Sequence, residues 1–213
     1  MSKLYLYSIF HGNLNYSSIS PESYHEIIDK CYWPILDVVN NFKFKTGIEF
    51  PTNTLDKIEN IDPLFIEELK KTIYKKKCEI ICSSKEQVVF PLVPEDINKI
   101  NLQKGRDETQ KRFRIKCETA FINEQIFSSG LIPLYITENF KNIILIQDWL
   151  NFSLDPKKKD FTPAQIFYKN KRLNIIWNSY FTYKQFQKYI AGKISKLDYI
   201  KFINSHKQKN DSC

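Results

Sequence analysis

The sequence predicts an α/β fold built around a parallel sheet. Six short apolar runs alternate along the chain with segments in which apolar residues recur at helical spacing. Each run is followed by polar residues, as expected for a buried strand that ends in a loop. This alternation is typical of parallel sheets whose strands are joined by right-handed helical crossovers. In such folds, functional groups gather at the carboxyl ends of the strands.

The predicted strands are the apolar runs themselves, at residues 4–10, 46–50, 78–82, 119–122, 142–147 and 173–177. Ser20 and Asp62 each precede a proline and mark helix starts, because both residue types cap helices and proline fits the first turn. We predict that Pro34 kinks the first of these helices. Further helices are predicted at residues 95–102, 104–116, 131–140, 183–191 and 196–205. Residues 151–172 are polar and lysine-rich, and a loop with little regular structure is predicted there.

Composition and charge indicate a globular protein. With 213 residues and 42% hydrophobic content, the chain is expected to form one domain over residues 1–206, followed by a frayed polar tail at residues 207–213. The net charge is +8, and the region from Lys157 onward holds thirteen Lys and Arg residues against three Asp and Glu residues. These basic residues alternate with apolar ones, which favours solvated helix faces. A nucleic-acid-binding module is the alternative, and the lack of an RGG or RNP-like pattern counts against it.

The cysteine spacing bears on metal binding, and the start of the chain bears on the cellular compartment of the protein. Five cysteines, at positions 31, 78, 82, 117 and 213, lack zinc-ligand spacing, so free thiols in a reducing cytosol are expected.

No leader pattern precedes the first apolar run, and no run approaches the roughly 18 residues of a membrane span. We therefore expect a cytoplasmic protein without membrane contact. Glycine-rich nucleotide loops, a GxSxG elbow and metal-spaced histidines are absent, so no cofactor is expected.

The segment of residues 119–133, TAFINEQIFSSGLIP, carries the strongest candidate for a catalytic group. Glu124 follows a buried strand and precedes a turn, where an α/β barrel places catalytic residues. The alternative is a structural acid that caps the next helix or pairs with a lysine. The other predicted strands are also followed by polar residues, and one of them by an indole. A set that contains acids and an indole matches a sugar site better than a phosphate site. The residues at these strand ends are His11, Asn13, Glu49, Ser83, Ser84, Asn123, Asp148, Trp149 and Asn178.

Several longer segments occur in a recognisable order. They are HGNL at 11–14, CYWPILD at 31–37, CEIICSSKEQVVFPLVP at 78–94, NEQIFSSGL at 123–131 and IIWNSYFTYKQFQKYIAGKIS at 175–195. Together they resemble the N-terminal catalytic barrel of glycoside hydrolase family 57, an α-amylase-like family of retaining enzymes. The resemblance runs from about residue 4 to residue 203. It implies an incomplete (β/α)7 barrel and an enzyme whose partner is an oligosaccharide or polysaccharide, such as an α-glucan or a surface polysaccharide.

The resemblance also implies roles for individual residues. Glu124 matches the family's catalytic nucleophile, His11 its sugar-binding histidine on the first strand, and Glu79 the acid of its third-strand motif. We expect His11 and Asn13 to hydrogen-bond sugar hydroxyls. Trp149 is expected to offer an apolar face to a pyranose ring, with packing in the barrel as the alternative role of this indole.

The sequence departs from the family at several points. Gly12-Asn13 stands where the family has Gln-Pro, and Gln125 where amylase members often have Arg. The family's general acid is an aspartate on a later strand, and the chain ends at Cys213 without it. Retaining hydrolysis requires two carboxyl groups about 5–5.5 Å apart, and Asp148 is the strand-end acid that can stand in. We therefore expect a truncated or split barrel that lacks its C-terminal portion. A sugar-binding remnant without turnover is the alternative to an enzyme.

Overall fold

The computed structural model describes residues 6–15, 18–44, 46–147 and 163–206. These residues divide into two compact units. The larger unit contains the described residues between Tyr7 and Leu145 and between Pro163 and Ile176. The smaller contains Leu6, residues 146–147 and residues 177–206. The predicted domain over residues 1–206 stays a prediction, and the predicted tail at residues 207–213 lies outside the described residues.

The first sheet contains three parallel strands in the order β1-β2-β3. They are β1 (Ser8–His11), β2 (Thr46–Glu49) and β3 (Glu79–Ile81). The central strand β2 is buried at every residue, as expected for a parallel strand covered on both faces. The register pairs His11 with Glu49 and Glu49 with Ile81, so all three strands end at the same edge of the sheet.

The second sheet has the strand order β4-β5-β7-β6. Its strands are β4 (Thr119–Phe121), β5 (Asn142–Ile146), β6 (Ala164–Tyr168) and β7 (Lys171–Asn178). β4 and β5 are parallel. A parallel bridge between Cys82 and Ala120 connects this sheet to the first one. There the Cys82 N–H donates to the Thr119 carbonyl at 2.9 Å, and the Phe121 N–H donates to the Cys82 carbonyl at 2.8 Å.

The prediction of a loop over residues 151–172 is wrong in its last part, where β6 pairs antiparallel with β7. Lys169 and Asn170 form the connecting turn with φ values of 45° and 63°. Positive φ at both residues is typical of a type I′ hairpin turn. Side chains of β6 alternate between half-buried and exposed, and its apolar stretch is only three residues long, at residues 166–168, between lysine-rich segments.

The helical segment after β1 changes its geometry just before Pro34. It consists of α1 (Tyr24–Ile27), a π-helical turn (Ile28–Tyr32) and α2 (Trp33–Asn41). Proline has no N–H to donate to the carbonyl of Lys30, four residues earlier, and the wider turn accommodates the missing hydrogen bond. The irregularity predicted at Pro34 therefore takes the form of a π turn.

Three helices follow in the larger unit, α3 (Thr52–Ile61), α4 (Pro63–Tyr74) and α5 (Glu95–Phe113). Asp62 caps α4, since its Oδ1 accepts from the Phe65 N–H at 3.2 Å, and its Oδ2 accepts from Trp33 Nε1 at 2.7 Å. The prediction of separate helices at residues 95–102 and 104–116 is wrong, because α5 runs through both. Gly105 lies inside α5, and a Cβ there would meet the Ser83 carbonyl oxygen at 2.4 Å. This glycine permits close packing and does not end the helix.

The core of the larger unit surrounds a cluster of aromatic rings. Phe50 lies 5.1 Å from Tyr32 and 6.2 Å from Phe65 between ring centroids, and Phe65 meets Trp33 edge-on at 5.5 Å. A Cβ at Gly12 would lie 2.0 Å from Phe50 Cε1. The chain leaving β1 therefore rests directly on a buried ring, and this packing fixes the start of the loop after His11.

Two of the cysteines are joined. Cys82 and Cys117 form a disulfide with their Cα atoms 6.0 Å apart, so the expectation of free thiols is wrong for this pair. Cys82 follows β3 and Cys117 precedes β4, and these strands are neighbours although the cysteines are 35 residues apart in sequence. Cys31 is an exposed free thiol and Cys78 a buried one. Cys213 lies outside the described residues.

The smaller unit contains two helices, α7 (Tyr180–Ile190) and α8 (Lys196–Asn204). Ser179 and Ser195 cap them, accepting hydrogen bonds from the N–H groups of Thr182 and Asp198. A short helix of the larger unit, α6 (Ile132–Thr137), precedes β5. Within the described ranges, no helix combines the length and the apolar composition needed to cross a membrane.

Candidate active site

Polar side chains from four strands meet at the carboxyl edge of the sheets. His11 is the last residue of β1, and Glu49 is the last residue of β2. Gln87 lies in the loop after β3, and Glu124 lies in the 3₁₀ turn that follows β4. Contacts among these four side chains show that the edge gathers them into one site.

His11 and Glu49 form the inner part of the site. The strand register places them side by side, and His11 Nδ1 is hydrogen-bonded to Glu49 Oε2. The Glu49 side chain is completely buried, whereas 34% of the His11 side chain is exposed. A carboxylate can only accept hydrogen bonds, so Glu49 keeps a proton on Nδ1 and fixes the orientation of the imidazole. The ring also stacks on Phe121, with centroids 5.4 Å apart and planes 12° apart.

The charge state of His11 depends on two opposing effects. Burial lowers the pKa of His11, but the charge of Glu49, its hydrogen bond to the ring and the charge of Glu124 together raise this pKa above its ordinary value of 6.5. Glu49 Oε1 is buried and has no hydrogen-bond partner among the described residues. The uncompensated oxygen adds to the negative potential that favours an imidazolium at this position.

A chain of side-chain amides leads from the β1 loop to Glu124. Asn13 Nδ2 donates to Gln87 Oε1, and Gln87 Nε2 donates to Glu124 Oε1. The direction is fixed at the far end, where Asn13 Oδ1 accepts from the Asn15 backbone N–H at 3.0 Å. Because a backbone N–H can only donate, both amide orientations follow from it. An N–H group therefore points at the Glu124 carboxylate.

Gln87 connects the two halves of the site. Its Nε2 lies 3.5 Å from His11 Nε2, the ring nitrogen that Glu49 does not engage. In neutral His11 this nitrogen is an acceptor for the second N–H of Gln87. In protonated His11 two N–H groups face each other, and at this long distance their repulsion is weaker than the attraction of the carboxylates.

The backbone at Glu124 is held in an uncommon conformation. Glu124 and Gln125 have φ values of 53° and 55°, in the left-handed region that side chains rarely adopt. Such residues typically cost about 1–3 kcal/mol each and persist only where surrounding contacts enforce them. The Gln125 N–H donates to the Ile122 carbonyl at 2.9 Å, which closes the turn. As a result the Glu124 side chain is exposed directly after a buried strand.

Asn123 supplies the contacts that enforce this turn. It is 3% exposed, and its Oδ1 accepts from Ser83 Oγ at 3.1 Å. Its Nδ2 donates to Ser84 Oγ at 2.7 Å and to the Val88 carbonyl at 3.1 Å. The residue before Glu124 is thus tied to the loop that carries Gln87. Asn123, Ser83 and Ser84, which the sequence places at strand ends, have this structural role.

Not every predicted site residue lies here. Glu79 is exposed at the first position of β3, and its Oε1 accepts from Thr119 Oγ1 at 2.9 Å, at the start of β4. Glu79 therefore belongs to the amino-terminal edge of the strands, opposite to Glu124, and does not join the network. Asp148 and Trp149 lie outside the described residues. His11, Asn13 and Glu124 are brought together.

Sequence reasoning missed Gln87 and Phe121 as members of the site and did not select Glu49 from the strand-end residues. Gln87 follows Ser83 and Ser84 in the polar SSKEQ segment after β3, which was the available signal. Phe121 belongs to an apolar run and looks like an ordinary core residue. In the part of the chain that the structure describes, no group of three or more His, Cys, Asp or Glu residues could hold a metal ion.

Comparison with known proteins gives matches in structure only, since no family model and no curated protein matches the sequence. The 4-alpha-glucanotransferase from Thermococcus litoralis matches with a TM-score of 0.72 and 14% identity, over 87% of this chain and 31% of its own. The alpha-amylase AmyC from Thermotoga maritima matches with a TM-score of 0.66 and 13% identity, over 87% and 47%. A GH57 branching enzyme from Thermococcus kodakaraensis matches with a TM-score of 0.67 and 13% identity, over 85% and 48%.

These matches confirm the predicted fold class. The chain has the α/β fold of GH57 (β/α)7 barrel enzymes, with parallel strands and surrounding helices. It spans less than half of the length of each of the three structures.

Proposed function

We propose that this chain is a carbohydrate-active domain that acts on an α-glucan or a related polysaccharide, with Glu124 as its nucleophile. The observation that carries the proposal is the position of Glu124, exposed after β4 and held through Oε1 by Gln87. The structural neighbours are a 4-alpha-glucanotransferase, an alpha-amylase and a branching enzyme solved in complex with glucose. Their shared fold supports the choice of a saccharide as the substrate.

The geometry suits attack by one carboxylate oxygen. Glu124 Oε1 is engaged by Gln87, while Oε2 has no hydrogen-bond partner among the described residues. In the proposed step, Glu124 attacks the anomeric carbon, the bond to the leaving group breaks, and a glycosyl-enzyme forms. Water or a sugar hydroxyl then attacks the same carbon and releases Glu124. His11, one third exposed, donates a hydrogen bond from Nε2 to a sugar hydroxyl when it is protonated.

Asn13 acts in this proposal by orienting Gln87, in addition to any contact with sugar hydroxyls. The described carboxylates do not provide a general acid beside Glu124. Glu49 is buried against His11, and Glu79 lies at the other end of the strands. Asp148 and Trp149 stay predicted substrate-binding residues. A substrate whose leaving group departs without protonation is therefore the right probe for the nucleophile.

α-Glucosyl fluoride is such a substrate, because fluoride leaves without a general acid. We expect the chain to release fluoride, measured with a fluoride electrode, and Glu124→Gln to reduce release to the uncatalysed background. Glu67→Gln, on the exposed side of α4, is the matched control and should retain full release. Binding of maltoheptaose without fluoride release would instead indicate a sugar-binding domain without turnover. Equal release by Glu124→Gln and the unmodified chain would exclude Glu124 as the nucleophile.

A further inference from the structure

A basic cleft lies among the outer helices of the larger unit, on elements other than the strand edge that carries Glu124. Its volume is about 530 Å³. Four cationic side chains line it: Lys70 from α4, Lys111 and Arg112 from the last turn of α5, and Arg114, which directly follows that helix. The ring of Tyr74 also lines the cleft and is 56% exposed.

The two carboxylates of the cleft are already engaged. Glu108 accepts from Lys85 Nζ at 2.8 and 3.0 Å and from Thr52 Oγ1 at 2.6 Å. The Lys85 ammonium and the Thr52 hydroxyl help to lower the pKa of Glu108, in spite of its partial burial. Glu59 lies 3.2 Å from Arg112 Nη2. Neither carboxylate is therefore free to neutralise the remaining cations.

Three of the four cations have no such partner. Among the described residues, Lys70, Lys111 and Arg114 form no ion pair and no side-chain hydrogen bond. Basic residues at the end of a helix often do no more than complement its dipole. Here, however, side chains from two helices and from the residue after α5 face one cavity, and the four cations that line it outnumber its two carboxylates. Such an arrangement attracts an anion.

Arg112 is the fourth cation of the cleft and differs from the other three, because it is paired. Its Nη2 is held by Asp56 at 2.5 Å and by Glu59 at 3.2 Å, which fixes the plane of the guanidinium. Its Nη1 is buried and has no hydrogen-bond acceptor among the described residues. Because Nη1 is covered and Nη2 is engaged by two carboxylates, Arg112 lines the cleft as a fixed side chain and offers a ligand no direct hydrogen bond.

We infer that this cleft binds a small polyanion that carries two or more phosphate groups. The separate positions of Lys70, Lys111 and Arg114 around one cavity suit several charged oxygens better than a single small ion. The cleft is also connected to the candidate active site through Glu108, whose partner Lys85 lies two residues before Gln87. The inference does not depend on the proposed glycosidase chemistry.

Inorganic pyrophosphate is the test probe, with binding measured by isothermal titration calorimetry at low ionic strength. We expect saturable binding with one site per chain. The double variant Lys111→Gln/Arg114→Gln should bind at least about tenfold more weakly, since it removes two of the three unpaired cations of the cleft. Lys99→Gln/Lys104→Gln is the matched control, because it removes two exposed cations from the same helix outside the cleft.

Three outcomes would overturn the inference. They are no heat of binding at millimolar pyrophosphate, binding without saturation, and equal weakening in the control variant, which would indicate diffuse attraction to a basic surface. Circular dichroism of both double variants verifies that they are folded. Pyrophosphate binding is read without any glycoside substrate, so failure here leaves the role of Glu124 intact, and failure of fluoride release leaves this site intact.

Discussion

The side-chain amide of Gln87 donates a hydrogen bond to the carboxylate of Glu124. The donor is 9% exposed and the acceptor is exposed, so a buried neutral group orients a charged group at the surface. Gln87 is in turn oriented by Asn13 and, through it, by the backbone of Asn15. This chain of hydrogen bonds selects one oxygen of Glu124 and leaves the other available for chemistry.

Gln87→Ala should lower kcat for fluoride release from α-glucosyl fluoride while KM changes little. The variant removes the N–H that holds Glu124 and leaves the carboxylate free to rotate. Misplacement of a reacting group by about 1 Å costs on the order of 100-fold in rate, so a decrease of 10- to 100-fold is expected. Steady-state kinetics with a fluoride electrode measures both constants.

Gln87→Glu tests the hydrogen bond to Glu124 without changing the size of the side chain at position 87. It keeps the size of the side chain but places a second carboxylate against Glu124, so we expect a larger loss of kcat than in Gln87→Ala. Gln103→Ala, on α5, is the control, because the Gln103 side chain makes no hydrogen bond to a described residue. An unchanged kcat in both Gln87 variants would remove Gln87 from the mechanism.

His11 should titrate above the ordinary histidine range. Burial lowers the pKa of His11, but Glu49 and Glu124 together raise this pKa by more than burial lowers it. NMR titration of the imidazole carbon signals can distinguish His11 from the chain's other two histidines, His25 and His206, by comparison with His11→Asn. Glu49→Gln removes the larger carboxylate effect and should lower the pKa of His11. A His11 pKa that does not fall in Glu49→Gln would contradict the assigned pair.

The same shift predicts how stability depends on pH. Because the pKa of His11 is higher in the folded state than the value of about 6.5 in the unfolded chain, protonation favours folding. The stabilisation that protonated His11 gives the folded state is fully present below about pH 6.5 and is lost as pH rises through the folded-state pKa of His11. Thermal unfolding of the unmodified chain and of Glu49→Gln should therefore differ most at the acidic end of this window and converge above it. A difference that grows with rising pH would contradict the predicted sign.

Gly105→Ala should destabilise the fold although alanine is the better helix former. The new Cβ would lie 2.4 Å from the Ser83 carbonyl oxygen and 2.6 Å from the Lys85 nitrogen, both backbone atoms. Overpacking of this kind typically costs about 1–3 kcal/mol, which exceeds the gain of up to about 1 kcal/mol in helix propensity. Thermal unfolding measures the effect. Gly130→Ala is the control, since its nearest contact is the Ser128 Oγ at 3.7 Å, and it should leave the melting temperature nearly unchanged.

Much of the fold is predictable from the sequence, because buried parallel strands carry continuous apolar runs. β2 to β5 and β7 lie where such runs predict strands. β6 escapes this signal, because its short apolar stretch, at residues 166–168, lies between lysine-rich segments and the region as a whole reads as polar. The packing role of Gly105 escapes prediction for a different reason. Its role depends on a loop more than 20 positions earlier, and that proximity is invisible in a local pattern.

The candidate site is predictable in part. His11, Asn13 and Glu124 follow from their strand-end positions and from the family resemblance, and the structure brings them together through Gln87. Gln87 itself lies in a loop without periodicity, so only the folded backbone reveals its contacts. The Cys82–Cys117 bond escapes for a similar reason, because strand adjacency and not sequence spacing pairs the two thiols.

The most direct test of the central claim is covalent trapping of the nucleophile. 5-Fluoro-α-glucosyl fluoride forms a glycosyl-enzyme without help from a general acid, and its ring fluorine slows the release of the sugar. Mass spectrometry of the intact chain and of its peptides should show one added fluoroglucosyl group, attached to Glu124 and absent from Glu124→Gln. Fluoride release without an adduct on Glu124, or an adduct on another carboxylate, would contradict the assignment of Glu124 as the nucleophile.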